Sequence, residues 1–267
     1  LLRSMQVMLF VIVWLKRLFW PMVKIINWFW FLLMLVFCSC QKDHMFDCFK
    51  GTGKDKSEAR NISGFNRIKA SNNVDVEIYP GHDYKVEVKA GSKLIDGITT
   101  EVKDSMLYIR NENACNWVRS FKNKFTVSVW MPDIAELTVN GSGNIDLMDT
   151  IRHNEFTFNN WGASGKVTFL FNTEAVRTNI HTGPGDFVFH GYVGVHYFYN
   201  NGNGIADASN LNTEVTFTEN KGANKEYVRA KQWLTAKISY VGDIYYFGNP
   251  DSVVREGTGN GKLIKAD

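Results

Sequence analysis

A Gly-x-Gly motif recurs along the second half of the chain, as "GSGNID" at residues 141–146, "GPGDFV" at 183–188 and "GNGIAD" at 202–207. Equivalent glycines follow one another at intervals of 17 to 22 residues, at positions Gly143, Gly165, Gly185, Gly204, Gly222, Gly242 and Gly259. A steady period of about 20 residues is typical of a solenoid, in which each repeat forms one coil of a stack. The spacing therefore predicts a solenoid.

Each repeat consists of a strand, a turn that contains glycine and a second strand, as in "ELTVNGSGNIDL". Glycine suits such a turn because it permits positive φ, and because stacked strands lie only about 4.8 Å apart. In "HTGPGDF" we expect positive φ at Gly185, since Pro184 already restricts one backbone angle. The glycines interpreted as structural corners are Gly141, Gly143, Gly165, Gly183, Gly185, Gly202, Gly204, Gly242 and Gly259.

The chain from residue 61 onward reads as strands separated by turns. Stretches such as "NVDVEIYP" and "KFTVSVWM" alternate apolar and polar residues, and Gly, Asn, Asp or Pro stands between them. Period-two alternation predicts strands, and no window of helical length has a clean 3.6-residue period. We predict an all-β protein with an N-terminal β-strand region at 61–132, which acts as a cap. It is continuous with a Gly-x-Gly solenoid at 133–267.

Composition limits the class of protein further. The chain has 267 residues, of which 45% are hydrophobic, so it can fold around a sizeable core as one or two domains. Its 30 basic and 27 acidic residues are mixed along the sequence and leave a net charge of +3. This pattern lacks the basic stripe typical of nucleic-acid binding, and we expect no nucleic-acid partner.

The first forty residues differ from the rest. From Met22, "MVKIINWFWFLLMLVFCSC" has a lysine near its start, then an apolar run and small residues. This order is typical of a secretory signal peptide. A retained transmembrane helix is the alternative, but the run is shorter than the ~20 apolar residues that span a bilayer. We therefore predict a cleaved signal segment at residues 1–39.

Three methionines are candidates for the native start of the chain, namely Met5, Met8 and Met22. A start at Met22 would make residues 1–21 an upstream extension of the natural protein. The signal segment then retains its positive residue, its apolar run and its small-residue end.

The end of the signal segment, "LVFCSC", resembles a bacterial lipobox, in which cleavage leaves an N-terminal cysteine that receives lipid. Cys40 is that cysteine, and residues 40–60 would form the lipid anchor and a linker. Several acyl chains on one cysteine give stable attachment to a membrane. Asp43 is similar to the acidic export signal that follows the lipidated cysteine in surface lipoproteins of the Bacteroidota. We expect an outer-membrane lipoprotein exposed at the cell surface.

Two cysteines remain once the signal has left and Cys40 carries lipid. Cys48 and Cys115 form an even pair in an oxidising, exported setting, which favours a disulfide over two free thiols. Neither has a CxxC partner or a histidine at ligand spacing, so we expect no metal site.

Glycine-rich loops can also hold phosphate, but these glycines do not match such motifs. "GSGNID" and "GNGIAD" have Asp where a dinucleotide fingerprint has its third Gly, and no helix is predicted to follow them. "GASG" at 162–165 is not the G-x-S-x-G of a serine hydrolase. We expect neither a cofactor nor an enzyme.

A longer set of motifs resembles a known family. The run "ISGFNRIKASNNVDVEIYPGHDYKVEVKAG", followed by "LYIRNENACNWVRSF" and the tandem glycine units, is similar to the Bacteroidota auto-transporter adhesins with a head GIN domain. The resemblance covers residues 47 to 267. It implies a right-handed, parallel β-solenoid on an exported lipoprotein, and it supplies no catalytic residues.

Acidic and aromatic residues are the remaining candidates for a site. Asp146, Asp186, Asp207 and Asp243 follow glycine corners, and we interpret them as turn residues that cap backbone N–H groups rather than as a calcium ladder. Tyr197 and Tyr199 share one strand face, while His196 and Phe198 share the other. The candidate ligand-facing aromatics are Trp117, Trp161, Tyr245 and Tyr246.

These observations favour a lipid-anchored, exported β-solenoid that acts as a non-catalytic adhesion or structural module of the cell envelope. Its expected partners are the membrane, through the lipid, and a glycan or a host or cell-surface protein. The alternative is a polysaccharide-active β-helix enzyme of the lyase kind, with Arg177 or Lys166 as base. A lyase requires an acid cluster and a base in one groove, whereas an adhesin requires a broad polar and aromatic face.

Overall fold

A computed structural model of the chain describes residues 51–114 and 125–266. Residues Lys50–Asp267 form one compact unit, which contains every pairing between the described strands. In the described residues no helix is long and apolar enough to cross a membrane. The strands are β1 Asp55–Arg60, β2 Arg67–Ser71, β3 Asp75–Pro80, β4 Lys85–Gly91, β5 Ile98–Lys103, β6 Met106–Asn111, β7 Thr126–Met131, β8 Glu136–Asn140, β9 Ile145–Leu147, β10 Glu155–Trp161, β11 Lys166–Thr182, β12 Asp186–Asn200, β13 Ala206–Asn220, β14 Glu226–Arg229, β15 Trp233–Ile238, β16 Ile244–Phe247, β17 Ser252–Glu256 and β18 Leu263–Lys265.

Parallel strands stack into two faces of a solenoid, which confirms the predicted all-β solenoid class. Face A contains β6, β2, β8, β10, the second halves of β11, β12 and β13, then β15 and β17. Face B contains β7, β3, β9, the first halves of β11, β12 and β13, then β14, β16 and β18. From β10 to β18 the chain runs through six consecutive coils.

The N-terminal strands do not stack in chain order. Strand β2 lies between β6 and β8 on face A, and β3 lies between β7 and β9 on face B. Parallel stacking therefore begins before residue 133. Three antiparallel strands extend this end of the stack: β5 pairs with β6, while β4 pairs with both β7 and β1.

Phenylalanine fills the interior of the first tandem coils. Phe156, Phe158, Phe169, Phe171 and Phe189 are at most 1% exposed. Phe169 contacts four other rings, with centroid distances of 4.8 Å to Phe158, 5.2 Å to Phe189, 5.5 Å to Phe171 and 6.1 Å to Phe156. Period-two alternation places these rings inward, and the coil spacing stacks one ring on the next.

The glycine corner joins face A to face B in each coil, and close backbone approach explains most of its glycines. A Cβ atom on Gly165 would lie 2.9 Å from the carbonyl oxygen of Gly143, and one on Gly222 would lie 2.6 Å from that of Gly202. Real Cβ atoms do not approach so closely. Each such glycine covers the backbone of the coil before it, so no side chain fits there.

The expectation of positive φ at Gly185 is wrong. Among the glycines predicted at corners only Gly183 has positive φ, at 106°. A Cβ on Gly185 would instead lie 2.8 Å from the carbonyl oxygen of Ala163 and 3.0 Å from that of Gly165. Position 185 requires glycine because the neighbouring coil leaves no room for a side chain. The residue with positive φ in this turn is Gly183, on the other side of Pro184.

Buried asparagines satisfy the backbone at the same corner. Asn160, Asn200 and Asn220 are at most 2% exposed. Their side-chain oxygens accept hydrogen bonds from the N–H groups of Ala163 at 2.9 Å, Gly202 at 3.1 Å and Gly222 at 2.8 Å. These bonds satisfy amides that the sharp turn removes from the strand ladder.

Two titratable side chains are buried inside the later coils. His196 is 1% exposed, hydrogen-bonds to Thr178 through Nε2 at 3.0 Å, and burial lowers its pKa to about 3. Glu226 is fully buried beside Thr218 and Asn200, and burial raises its pKa to about 7. Both side chains are therefore neutral in the folded protein across the range between these two values.

The two groups give opposite pH dependences. Glu226 contributes stability that is complete below its unfolded pKa of 4.5 and is lost as pH rises to about 7. His196 contributes stability that is complete above its unfolded pKa of 6.5 and is lost as pH falls towards 3. Between pH 4.5 and 6.5 their effects on the free energy of unfolding oppose each other.

Replacing Glu226 by Gln should therefore expose the dependence that His196 causes. We expect the free energy of unfolding of Glu226→Gln to rise more steeply with pH than that of the unmodified protein, by about 1.4 kcal/mol per pH unit. Urea unfolding at pH 4.5, 5.5 and 6.5 measures this difference. Glu101→Gln, at an exposed position, is the control and should leave the slope unchanged. Parallel slopes for Glu226→Gln and the unmodified protein would contradict the assignment.

Candidate functional site

The outer surface of face A carries a stacked column of side chains from three successive coils, Arg177, Tyr197 and Phe217. Strand register aligns them, since Arg177 pairs with Tyr197 and Tyr197 with Phe217. The guanidinium carbon of Arg177 lies 4.4 Å from the Tyr197 ring centroid, and the Tyr197 and Phe217 centroids are 5.4 Å apart at 12°. Tyr197 is 37% and Phe217 39% exposed. We call these three residues the aromatic column.

One face of the Phe217 ring opens into a groove. Tyr197 stacks on one side of this ring, and the next residue in register on the other side is Thr235. Thr235 is short, so the column stops there and leaves a space of about 290 Å³. Glu219, Lys237 and Glu256 also line this space, which we call the Phe217 groove.

Glu219 is held in place in the groove by its polar neighbours. Glu219 accepts a hydrogen bond from Ser239 at 2.9 Å and forms ion pairs with Lys237 at 3.1 Å and Lys221 at 3.6 Å. Partial burial raises the pKa of Glu219, but the bonds from Ser239 and Lys237 outweigh this and hold it below its usual value. Glu219 is therefore ionised at neutral pH and is held in one place as an acceptor.

A second set of rings lies beside the aromatic column on face A. Trp161 is 51% exposed and stacks on His181 with ring centroids 3.7 Å apart, and His181 lies 5.7 Å from Tyr199. The ammonium of Lys221 lies 5.3 Å from the Tyr199 centroid. Burial lowers the pKa of His181, so this ring is neutral at neutral pH. Face A thus presents aromatic surface across several adjacent coils.

The candidate aromatics are not brought together. Trp161 lies on face A, while Tyr245 lies on face B, 5.3 Å from Tyr227 and below the ammonium of Lys225. Tyr246 is half-buried and packs against the core. The predicted residues outside the described part of the chain are Cys40, Cys48, Cys115 and Trp117.

The two bases considered for a lyase lie on opposite faces. Arg177 points outward from face A, and Lys166 points outward from face B, opposite Asp186 in the next coil. In residues 51–114 and 125–266 no three His, Cys, Asp or Glu side chains form a group that could hold a metal ion. The structure therefore places the two candidate bases apart, on opposite faces of the solenoid.

Corner aspartates bind backbone N–H groups of neighbouring coils. Asp186 accepts from the N–H of Ile205 at 2.8 Å, and Asp243 from that of Lys262 at 2.7 Å. Asp207 accepts from Ser209 within its own strand at 2.9 Å. The Asp207 bond is the local cap that the turn interpretation predicts, whereas Asp186 and Asp243 bind N–H groups about one coil further along the chain.

Strand parity located part of this site. Tyr197 lies on the opposite side of its strand from His196 and Phe198, as the alternation predicted, and the structure shows that Tyr197 is the exposed one. Sequence reasoning missed Phe217, Glu219 and Lys237, which complete the groove. The available signal was the outward position of Tyr197 carried forward by one repeat, which leads to Phe217.

The fold and this surface define a class of protein, a β-solenoid with an exposed aromatic face. Residues 64–250 match the family described as "Putative auto-transporter adhesin, head GIN domain", and the chain belongs to this family. The match extends over well over half of the chain. It confirms the resemblance found in the sequence.

Solved structures share this fold. A "putative adhesin" from Bacteroides fragilis has a TM-score of 0.73 at 16% identity, covering 80% of this chain and 97% of its own. A "putative lipid binding protein" from Parabacteroides distasonis has a TM-score of 0.65 at 19% identity, covering 81% and 98%. A "putative adhesin" from the same species has a TM-score of 0.59 at 20% identity, covering 80% and 98%. A search among curated proteins finds no match.

Proposed function

We propose that this protein is a non-catalytic adhesion module of the bacterial cell envelope, which binds other surface molecules through face A. Membership of the adhesin family supports this role, as do adhesin structures with the same fold. The observation that carries the proposal is the aromatic column, because large side chains of a folded protein are seldom stacked and exposed together without a partner. Stacked rings also present a rigid surface that loses little conformational entropy on binding.

Anchoring completes the proposed role. The lipid on Cys40 would hold the solenoid at the outer membrane, and the residues between Cys40 and β1 would let face A reach molecules outside the cell. Export to the surface is supported by the signal-like segment and by Asp43. One structural relative is described as a lipid-binding protein. For this chain we assign contact with lipid to the anchor.

Adhesion can be tested with the compact unit of residues 50–267, labelled with a fluorophore. We expect it to bind saturably to intact bacterial or epithelial cells, measured by flow cytometry. Tyr197→Lys should abolish most of this binding, because it places a second cation beside Arg177 and interrupts the aromatic surface. The matched control is Leu170→Lys on face B, where Leu170 is 46% exposed. Absence of saturable binding to any cell or envelope extract would overturn the proposal.

Lipid attachment has a separate test. We expect Cys40→Ala, expressed in the full chain in a bacterium with a lipoprotein pathway, to lose all incorporation of radiolabelled palmitate, since Cys40 is the residue after the lipobox-like sequence. Cys48→Ala is the matched control and should keep the label. Continued labelling of Cys40→Ala would show that a residue other than Cys40 carries the lipid.

A further inference from the structure

The Phe217 groove combines an open aromatic face with polar groups at its rim. Phe217 offers the ring face that Tyr197 does not cover, and Thr235 leaves it accessible. A sugar ring also has an apolar face made of C–H groups, which packs on an aromatic ring, while its hydroxyl groups lie around the edge. The shape of the groove therefore matches a flat ring with an apolar face and a polar edge.

Hydrogen-bonding groups stand where such an edge would lie. Glu219 and Glu256 supply carboxylate acceptors, and Lys237 supplies an ammonium donor. Thr235 supplies a hydroxyl donor, since its oxygen already accepts from the indole N–H of Trp233 at 2.9 Å. Hydroxyl groups both donate and accept, so this mixture can pair with vicinal hydroxyls of a sugar. Glu219 is held by Ser239 and Lys237, so it is oriented before a ligand arrives.

The charges of the side chains that line the groove balance. Arg177 and Lys237 contribute two positive charges, and Glu219 and Glu256 contribute two negative charges. Arg177 already lies over Tyr197, and Lys237 is paired with Glu219. Lys221, which does not line the groove, also pairs with Glu219, at 3.6 Å. An anionic ligand would meet two carboxylates, and a cationic ligand would have to compete with Lys237. This balance favours a ligand without net charge.

We propose that the Phe217 groove binds one ring of a neutral oligosaccharide, stacked on the free face of Phe217. This inference rests on the proposed function and specifies the ligand of that surface. The volume of about 290 Å³ is at the small end for ligand pockets, and suits a single ring rather than a larger buried group. The rings of Trp161, His181 and Tyr199 provide aromatic surface beside the groove for neighbouring sugars of the same chain.

The probe is a printed array of neutral and acidic oligosaccharides, with the 50–267 unit as analyte. We expect binding to neutral members and at least a tenfold loss of affinity for Phe217→Ala, measured by titration with the best-bound oligosaccharide. Thr235→Tyr should cause a similar loss while preserving the fold, because an outward tyrosine extends the aromatic column into the groove. Leu170→Ala on face B is the control and should bind as the unmodified protein does.

The outcomes of these experiments distinguish failure of this inference from failure of the proposed function. Binding only to acidic oligosaccharides, or full affinity in both Phe217→Ala and Thr235→Tyr, would overturn the inference. Saturable binding to cells together with no neutral oligosaccharide bound would also overturn it, and would leave the adhesion role in place. Loss of binding to cells and extracts would instead overturn the adhesion role itself.

Discussion

Replacing Gly204 by Ala should lower the free energy of unfolding by at least about 3 kcal/mol. A Cβ atom at this position would lie 2.5 Å from the carbonyl carbon of Gly185 and 2.7 Å from the carbonyl oxygen of Pro184, and closer still to the oxygen of Gly185. All of these atoms belong to the backbone of the preceding coil and cannot turn aside. The coils must separate locally, which weakens the ladder hydrogen bonds on both faces. Urea unfolding of the two proteins measures the difference.

Gly81→Ala is the control for this effect. Gly81 has a φ of 84°, but a Cβ there would have no atom within 4 Å. Its substitution should cost about 1 kcal/mol, from backbone strain alone. If Gly204→Ala costs no more than Gly81→Ala, then close approach between coils does not explain the glycine corner.

Replacing Phe169 by Ala should cost about 3–5 kcal/mol. Phe169 is fully buried and contacts the rings of Phe158 in β10, Phe171 in β11 and Phe189 in β12. Its removal would leave a cavity between coils whose strands are tied by parallel ladders, so the site can collapse only in part. The free energy of unfolding in urea is the measurement.

Leu170→Ala serves as the comparison, since Leu170 is the next residue and is 46% exposed. It should change stability by no more than about 0.5 kcal/mol. Phe169→Leu should fall between the two, because it restores part of the lost volume. Equal effects of Phe169→Ala and Leu170→Ala would show that the inward and outward positions of β11 are assigned wrongly.

Glycine spacing and period-two alternation were enough to predict the class of fold. The spacing works because every glycine corner must pass close to the one before it, so the requirement for glycine recurs once per coil. Alternation also placed Tyr197 and Phe198 on opposite sides of their strand, as the structure has them. Local signals of this kind recur in each coil, and their recurrence allows the fold to be predicted from the sequence.

The groove and the N-terminal order could not be predicted in the same way. Phe217 and Thr235 become neighbours only through the register of β13 with β15, and repeat lengths vary between 17 and 22 residues. The position of β2 between β6 and β8 depends on pairings between distant segments, which no periodic pattern records. Positive φ was predicted at Gly185 but occurs at Gly183, because it depends on the geometry of this one turn and not on the repeat.

The position of β2 and β3 has a consequence for the order of folding. Both edges of β2 are completed by strands made later, since Arg67 pairs with Met106 and with Glu136. Each tandem coil, by contrast, pairs with the coil just before it along the chain. As the chain leaves the ribosome or the export machinery, β2 and β3 keep unpaired edges until β8 and β9 have emerged and can pair with them. The later coils can then add one at a time to a finished end.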